Sequence, residues 1–491
     1  MKLFDLVVFI VYLGGIVLFG LSFYRKSRSS SGFTVGDRNM PTWVISMSIL
    51  ATFVSSISYI ALPGQAYQSN WNPYVFSLSM PIASYMAVRF FVPLYRSVNS
   101  PSAYTYLESR FGPWAKYYAS VMYLLTQLMR TGTILYLLAL TLNVVSGWKM
   151  MPVILITGIS VMIYAMFGGI QAVIWTDAIQ GLILISGAIV CSVILIFSMP
   201  EGPGQLFSIA AANDKFSLGS LSSDLTTNTF WVVLVYGIFI NLQNFGIDQN
   251  YVQRYMTASD EKQAKKSALF GSLLYIPVSL LFVFIGTALF SYYSARPCLL
   301  PGDITPDRIF PFYIFNSLPA GITGLLVASI FAAGMSTVST SVNSSATIIL
   351  NDFFLKKNKT SDDRRSMRIL YVASFLFSCA GIVIAMAMID VKSALDSWWK
   401  LASVFSGGML GLFLLGFFMK KATSKAAIWG VIAGVLLISW MSLSPMIFTG
   451  EKLSRFASPF HNYLAIVFGT VIIFITGFFL TIVFGKKKAG N

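Results

Sequence analysis

Residues 48–64 read Ser48-Ile49-Leu50-Ala51-Thr52-Phe53-Val54-Ser55-Ser56-Ile57-Ser58-Tyr59-Ile60-Ala61-Leu62-Pro63-Gly64. Hydroxyls and β-branched residues gather in the middle of an apolar run long enough to cross a membrane, and Pro-Gly follows. Such a stretch can unwind. Unwound backbone exposes carbonyl oxygens, which suit a hard cation such as sodium, and the half-helix that resumes aims its N-terminal amides at an anion. Small residues also permit close helix packing, and the local sequence fits that reading equally.

The rest of the chain is consistent with a lipid environment. Of its 491 residues 56 % are apolar and 11 % charged, where a soluble domain carries about a quarter charged residues. The net charge of +16 comes mostly from short clusters between apolar runs. These read as topology signals, and no groove-binding motif or soluble domain points to nucleic acid. Cys191, Cys298 and Cys379 fit no metal or redox spacing. His461 is the only histidine, which argues against histidine catalysis or a multi-histidine metal site. The first apolar run lacks a convincing cleavage site and reads as a retained helix.

Hydropathy predicts an all-α, polytopic membrane protein with about thirteen spans: 4–24, 42–69, 71–97, 114–145, 151–170, 172–199, 229–255, 265–294, 308–351, 367–389, 395–419, 425–446 and 459–484. The run 308–351 is too long for one crossing and must bend or lie partly outside. Basic clusters follow spans one (Arg25, Lys26, Arg28), three (Arg96, Arg110, Lys116) and seven (Arg254, Lys262, Lys265, Lys266). Others follow spans nine (Lys356, Lys357, Lys359, Arg364, Arg365, Arg368), eleven (Lys420, Lys421, Lys425) and thirteen (Lys486 to Lys488). The positive-inside rule then places the N-terminus outside and the C-terminus in the cytoplasm. The spans divide into an N-terminal extra helix (1–30), two five-helix units (31–200 and 201–420) and two C-terminal helices with a basic tail (421–491). Five plus five with opposite starting sides is the arithmetic of an inverted repeat.

A second hydroxyl-rich segment lies in span nine, where Ser336, Thr337, Ser339, Thr340, Ser341, Ser344 and Ser345 put seven hydroxyls into ten positions. Ser336, Ser339 and Thr340 share one helical face. Isolated hydroxyls usually bond their own backbone; this density favours ion binding by neutral oxygens. Three ionisable residues fall inside spans, where such groups are functional candidates by default. Arg130 has no acid within a helical turn, so its counter-charge comes from another helix or from an anionic ligand. Asp177 either binds an ion, caps its helix or pairs with a basic residue. Asp248 and Arg254 read mainly as a structural pair, with a role at an inner gate as the alternative. No cofactor motif or catalytic acid–base pair points to an enzyme.

Five motifs in order along the chain resemble the sodium:solute symporter family. They are Gly32-Phe33…Gly36-Asp37-Arg38 leading into Ala51-Thr52…Ser55; Tyr106-Leu107-Glu108-Ser109-Arg110-Phe111-Gly112; Tyr164…Gly168-Gly169-Ile170…Trp175-Thr176-Asp177…Gln180; Asp248-Gln249…Val252-Gln253-Arg254; and the serine-rich span nine. The resemblance implies a LeuT-type fold and sodium-driven alternating access. It implies one sodium site of Ala51, Val54, Ala333, Ser336 and Thr337, and a second of Asp177, Ser336, Ser339 and Thr340, hence Na+ as coupling ion, twice per substrate. Within the family, Ser55-Ser56-Ile57-Ser58 and Arg130 look like the bacterial sialic acid branch. That likeness implies Ser55, Ser56, Ser58 and Arg130 around a substrate carboxylate, with Ser77, Asn241 and Gln243 contributing. Ser77 stands where that branch carries a pocket glutamine. A proline-like, pantothenate-like, short-carboxylate or sugar substrate, or a transporter-fold sensor, are the alternatives. The expected partners are a small organic anion and the lipid bilayer of a bacterial inner membrane, with no obligate protein partner evident.

Overall fold

The computed structural model describes residues 2–302, 304–355, 362–389, 408–448 and 453–486. The regular elements among the described residues are all helices, with no strand among them. The principal helices are α1 (Leu3–Leu21), α2 (Thr42–Phe53), α3 (Ser56–Gln68), α4 (Asn72–Val98) and α5 (Pro113–Ser146). Next come α6 (Met150–Phe197), α7 (Phe230–Ile247), α8 (Gln249–Thr257), α9 (Glu261–Ser294) and α10 (Pro306–Asn316). The last are α11 (Ile322–Ile348), α12 (Asp363–Ala387), α13 (Gly408–Phe418), α14 (Ser424–Ile447) and α15 (Leu464–Lys486).

Ten helices among the described residues are long and apolar enough to cross a membrane, or eleven if the bent pair α2–α3 is one span. Helix α6, with 48 residues, is about 72 Å long at the α-helical rise and exceeds a bilayer core of about 30 Å more than twofold. It kinks at Gly169 (φ 57, ψ −161), near the end of the first of the two spans predicted there, 151–170 and 172–199. The expected eleventh span is described only in its second part, as α13; residues 395–407 lie outside the described residues, as do Lys356, Lys357, Lys359, Lys487 and Lys488. The overlong run 308–351 resolves as anticipated. Helix α10 stands apart, and α11 alone makes the crossing.

The α2–α3 span is broken where the sequence is richest in hydroxyls. Val54 (φ −78, ψ 106) and Ser55 (φ −99, ψ 171) are extended, and the halves meet at 55°. The break is not at Pro63-Gly64, which lies within α3. Proline removes one backbone donor there, and the Pro63 carbonyl packs directly on Gly286 of α9, where no side chain intervenes. A second break was not expected. The predicted span 229–255 is interrupted at Asp248 (φ −75, ψ 126), whose carboxylate accepts the Asn250 N–H at 2.8 Å and caps α8.

Helix α11 forms the centre of the bundle, with 89 % of its most apolar window buried. Its most extensive partner is α6, and small residues bring the two close: the Ser329 hydroxyl reaches the Ile183 carbonyl at 3.0 Å. The N-terminus of α11 is capped from α1. The buried Asp5 carboxylate accepts the N–H groups of Gly321 at 2.7 Å and Gly324 at 3.1 Å.

Gly169 holds a positive φ, and a Cβ placed on it would lie 2.9 Å from the Phe33 Cα. Gly169→Ala should therefore destabilise the protein by about 1–3 kcal/mol. A thermal melt in detergent reads this directly, and a wild-type midpoint would show that the kink tolerates a side chain.

Candidate substrate and ion site

The two helix breaks face one cavity of about 490 Å³. Its deep end is bounded by Phe53, Ser55, Ser58, Arg130, Asp248 and Tyr251, and its lining continues through Gln68, Ser69 and Asn72 to Asn228. It thus runs from the breaks toward the face that bears the loop 213–229. Phe53 lies between two rings that close the floor: Phe245 stacks on it at 5.4 Å and Tyr275 meets it edge-on at 4.5 Å. At the other end Tyr236 and Tyr463, both lining residues, stack at 4.4 Å.

The substrate residues expected from the sequence divide into two groups. Ser55, Ser58, Arg130 and Gln243 line the cavity. Ser56, Ser77 and Asn241 do not: all three are buried beside it. The Asn241 amide instead donates to Ser79 at 2.9 Å and ties α7 to α4. Arg130 reaches the open C-terminal end of α2, with Nη2 3.3 Å from the Thr52 carbonyl. Ser55 caps α3, and its hydroxyl accepts the Ser58 N–H at 3.5 Å. The guanidinium and the start of a half-helix, both electropositive, therefore share one cavity.

Four of the five groups expected at the first sodium site converge. The Ser336 hydroxyl lies 2.9 Å from the Ala51 carbonyl and 3.1 Å from the Ala333 carbonyl, and the Thr337 hydroxyl lies 3.1 Å from the latter. All are buried. Val54, the fifth, is the extended residue at the break itself. Neutral oxygens drawn from α2 and α11 fit a hard monovalent cation, and no group of three or more His, Cys, Asp or Glu residues is present among the described residues.

The second set is arranged differently from the sequence reading. Arg254 pairs with Asp177 and not with Asp248. Its Nη2 donates to Asp177 Oδ2 and to the Thr340 hydroxyl, both at 2.6 Å. Its Nε donates to the Ser48 hydroxyl at 2.7 Å, and its Nη1 to the Asn250 carbonyl at 2.5 Å. The ion pair is fully buried and joins α2, α6, α8 and α11. Asp177 and Thr340 do meet, at 3.4 Å, whereas Ser339 bonds the Ser336 carbonyl at 3.1 Å. Asp177 Oδ1 is buried and has no hydrogen-bond partner among the described residues.

Sequence reasoning missed Asp248 as a cavity residue, and Gln127, whose amide donates to Asp248 Oδ2 at 3.3 Å while its oxygen accepts the Ser341 hydroxyl at 2.8 Å. The available signal was the polar stretch Asp248-Gln249-Asn250 after Phe245-Gly246-Ile247, with an aspartate in an N-cap position. On the face opposite the cavity mouth the molecule is sealed. Every residue of α8 is buried, and the Gln253 amide donates to the Thr34 carbonyl at 2.7 Å and to Asn343 at 2.9 Å.

Comparison with known proteins shows the family. Residues 33–434 match the model of the sodium:solute symporter family. The chain is 31 % identical to the sodium/sialic acid symporter NanT of Aliivibrio fischeri, over 95 % of this chain and 90 % of that protein. It is also 31 % identical to the sodium/sialic acid symporter SiaT of Proteus mirabilis, over 97 % and 94 % of the two chains. A solved structure of a Na+-coupled sialic acid symporter, substrate-bound and outward-open, superposes with a TM-score of 0.90 at 28 % identity, covering 98 % of each chain. Mhp1, a nucleobase-cation-symport-1 family transporter, shares the fold alone, with a TM-score of 0.59 at 13 % identity over 90 % of this chain and 92 % of that one. The helices thus adopt the LeuT-like transporter fold, and the chain belongs to the sodium:solute symporter family.

Proposed function

We propose that this protein imports sialic acid (N-acetylneuraminate) with sodium across a bacterial cytoplasmic membrane, by alternating access. Sodium is the coupling ion of the family. The observation that carries the substrate reading is the meeting of the Arg130 guanidinium with Ser55 and Ser58, at the start of half-helix α3, in one cavity. That arrangement suits a carboxylate, and the sialic acid symporters among the relatives support the larger, hydroxylated ligand. A neutral sugar would leave the guanidinium without an anionic ligand.

In this reading the N-terminus lies outside, the C-terminus lies in the cytoplasm, and the cavity mouth beside loop 213–229 faces outward. The units 31–200 and 201–420 rock against each other. Opening the sealed face requires the Arg254 contacts to Asp177, Ser48 and Thr340 to part. The sodium held between α2 and α11 joins the broken span to the central helix, and so favours the arrangement in which Ser55, Ser58 and Arg130 are assembled. A second sodium uses the free oxygen of Asp177 with Ser339 and Thr340. Two cations moving with one monoanion carry net positive charge inward, so the membrane potential also drives uptake.

Arg130→Ala should weaken N-acetylneuraminate binding by roughly 10–100-fold, the worth of about 1.5–3 kcal/mol for a charge-assisted hydrogen bond, while leaving membrane insertion intact. Binding measured on purified protein decides this, and unchanged affinity would remove the sialic acid reading. Asp177→Asn should lower the sodium Hill coefficient from about 2 toward about 1 in proteoliposome uptake. A wild-type coefficient would mean that Asp177 holds no coupled ion. With choline replacing sodium, accumulation of labelled N-acetylneuraminate should cease altogether.

A further inference from the structure

We infer that Asp248 sets the specificity of this cavity, accepting hydrogen bonds from hydroxyl or amide N–H groups of a substrate whose carboxylate is held by Arg130. The inference rests on the reading of the site as one for a carboxylate-bearing solute. Among the described lining residues Arg130 is the sole Lys or Arg and Asp248 the sole Asp or Glu. They form no direct ion pair with each other. Ion pairs among the described residues join only Lys116 with Glu108, Arg254 with Asp177 and Lys265 with Glu261. Both groups are half-buried, and both line the space between the two helix breaks.

The oxygens of Asp248 are unequally engaged. Oδ1 caps α8 through the Asn250 N–H at 2.8 Å. Oδ2 receives only the Gln127 amide at 3.3 Å, beyond the usual range for such a bond. An ionised carboxylate offers about four acceptor positions, so acceptor capacity is left over at the cavity wall. A ligand that presents an anionic group to Arg130 and donors to Asp248 satisfies both. An alkyl carboxylate satisfies Arg130 and leaves Asp248 desolvated, and a dianion places a second negative charge beside it. Sites built to accept hydrogen bonds discriminate strongly against analogues that lack the donor.

Capping and recognition can be separated by substitution. Asp248→Asn retains an oxygen that caps α8, and Asp248→Ser caps as well, but neither carries the charge. Sodium-dependent binding by the purified full-length protein would be compared for N-acetylneuraminate, gluconate and hexanoate. The wild type should favour the two hydroxylated acids. Both variants should weaken these two by about 10-fold or more while hexanoate binds as before or more tightly. Equal losses for all three ligands, or no change, would overturn the inference, because the effect would then run through Arg130 or through folding. A wild type that takes gluconate but not N-acetylneuraminate sinks the sialic acid reading alone, and the variants still decide the role of Asp248. A wild type that prefers hexanoate sinks both.

Discussion

A helix that stops inside a membrane protein leaves peptide groups that no water can satisfy, and the site is organised around that constraint. Helix α2 ends in the protein interior, and its last carbonyls find three different partners. Leu50 takes the Val54 N–H, Ala51 takes the Ser336 hydroxyl and Thr52 takes the Arg130 guanidinium. The carbonyl end of a helix carries partial negative charge and draws cations, whereas the amide end that resumes at α3 draws anions. One interruption therefore creates an attraction for sodium and an attraction for a carboxylate side by side. In the proposed function the two ligands need not touch to depend on each other, because both depend on the same break.

The sealed face is held by a different kind of contact. Burying an arginine and an aspartate is costly unless both are paired and hydrogen-bonded, and Arg254 meets that demand with four acceptors on four helices. Loss of one partner from such a pair typically costs about 3–5 kcal/mol, because the other charge is left stranded. A contact of this type specifies one arrangement of α2, α6, α8 and α11 far more sharply than apolar packing would. It is also suited to a gate. When the helices separate, each group has water to return to.

Much of this was legible in the sequence because lipid imposes strong patterns. Hydropathy located most of the helices and the junction within α6, and it marked 308–351 as too long for one crossing, since a run of apolar residues is bounded in length by the bilayer. The hydroxyl clusters at 48–58 and 336–345 suggested ion binding, and the structure brings the Ser336 hydroxyl of the second onto the Ala51 carbonyl of the first. The pairing of Arg254 was not legible. Asp248 stands six residues away and Asp177 seventy-seven, and only the tertiary fold decides between them. The same applies to Asn241, whose polar side chain was equally compatible with facing the cavity and with bonding the neighbouring helix. The break at Asp248 was missed although Gln249, Asn250, Gln253 and Arg254 after it are polar, because Asp248 was read as a partner of Arg254 within one span and not as an N-cap.

The Asp5 cap on α11 changes how the first helix is to be regarded. By the repeat arithmetic α1 is an accessory, outside both five-helix units. Yet two short charge-assisted bonds fasten it to the amide end of the helix that supplies Ser336, Thr337 and Thr340. Any rigid body that includes α11 must therefore carry α1 with it, and the lipid-facing surface of α1 travels too. The annular lipids around this crossing are then part of the mechanical load of each transport cycle.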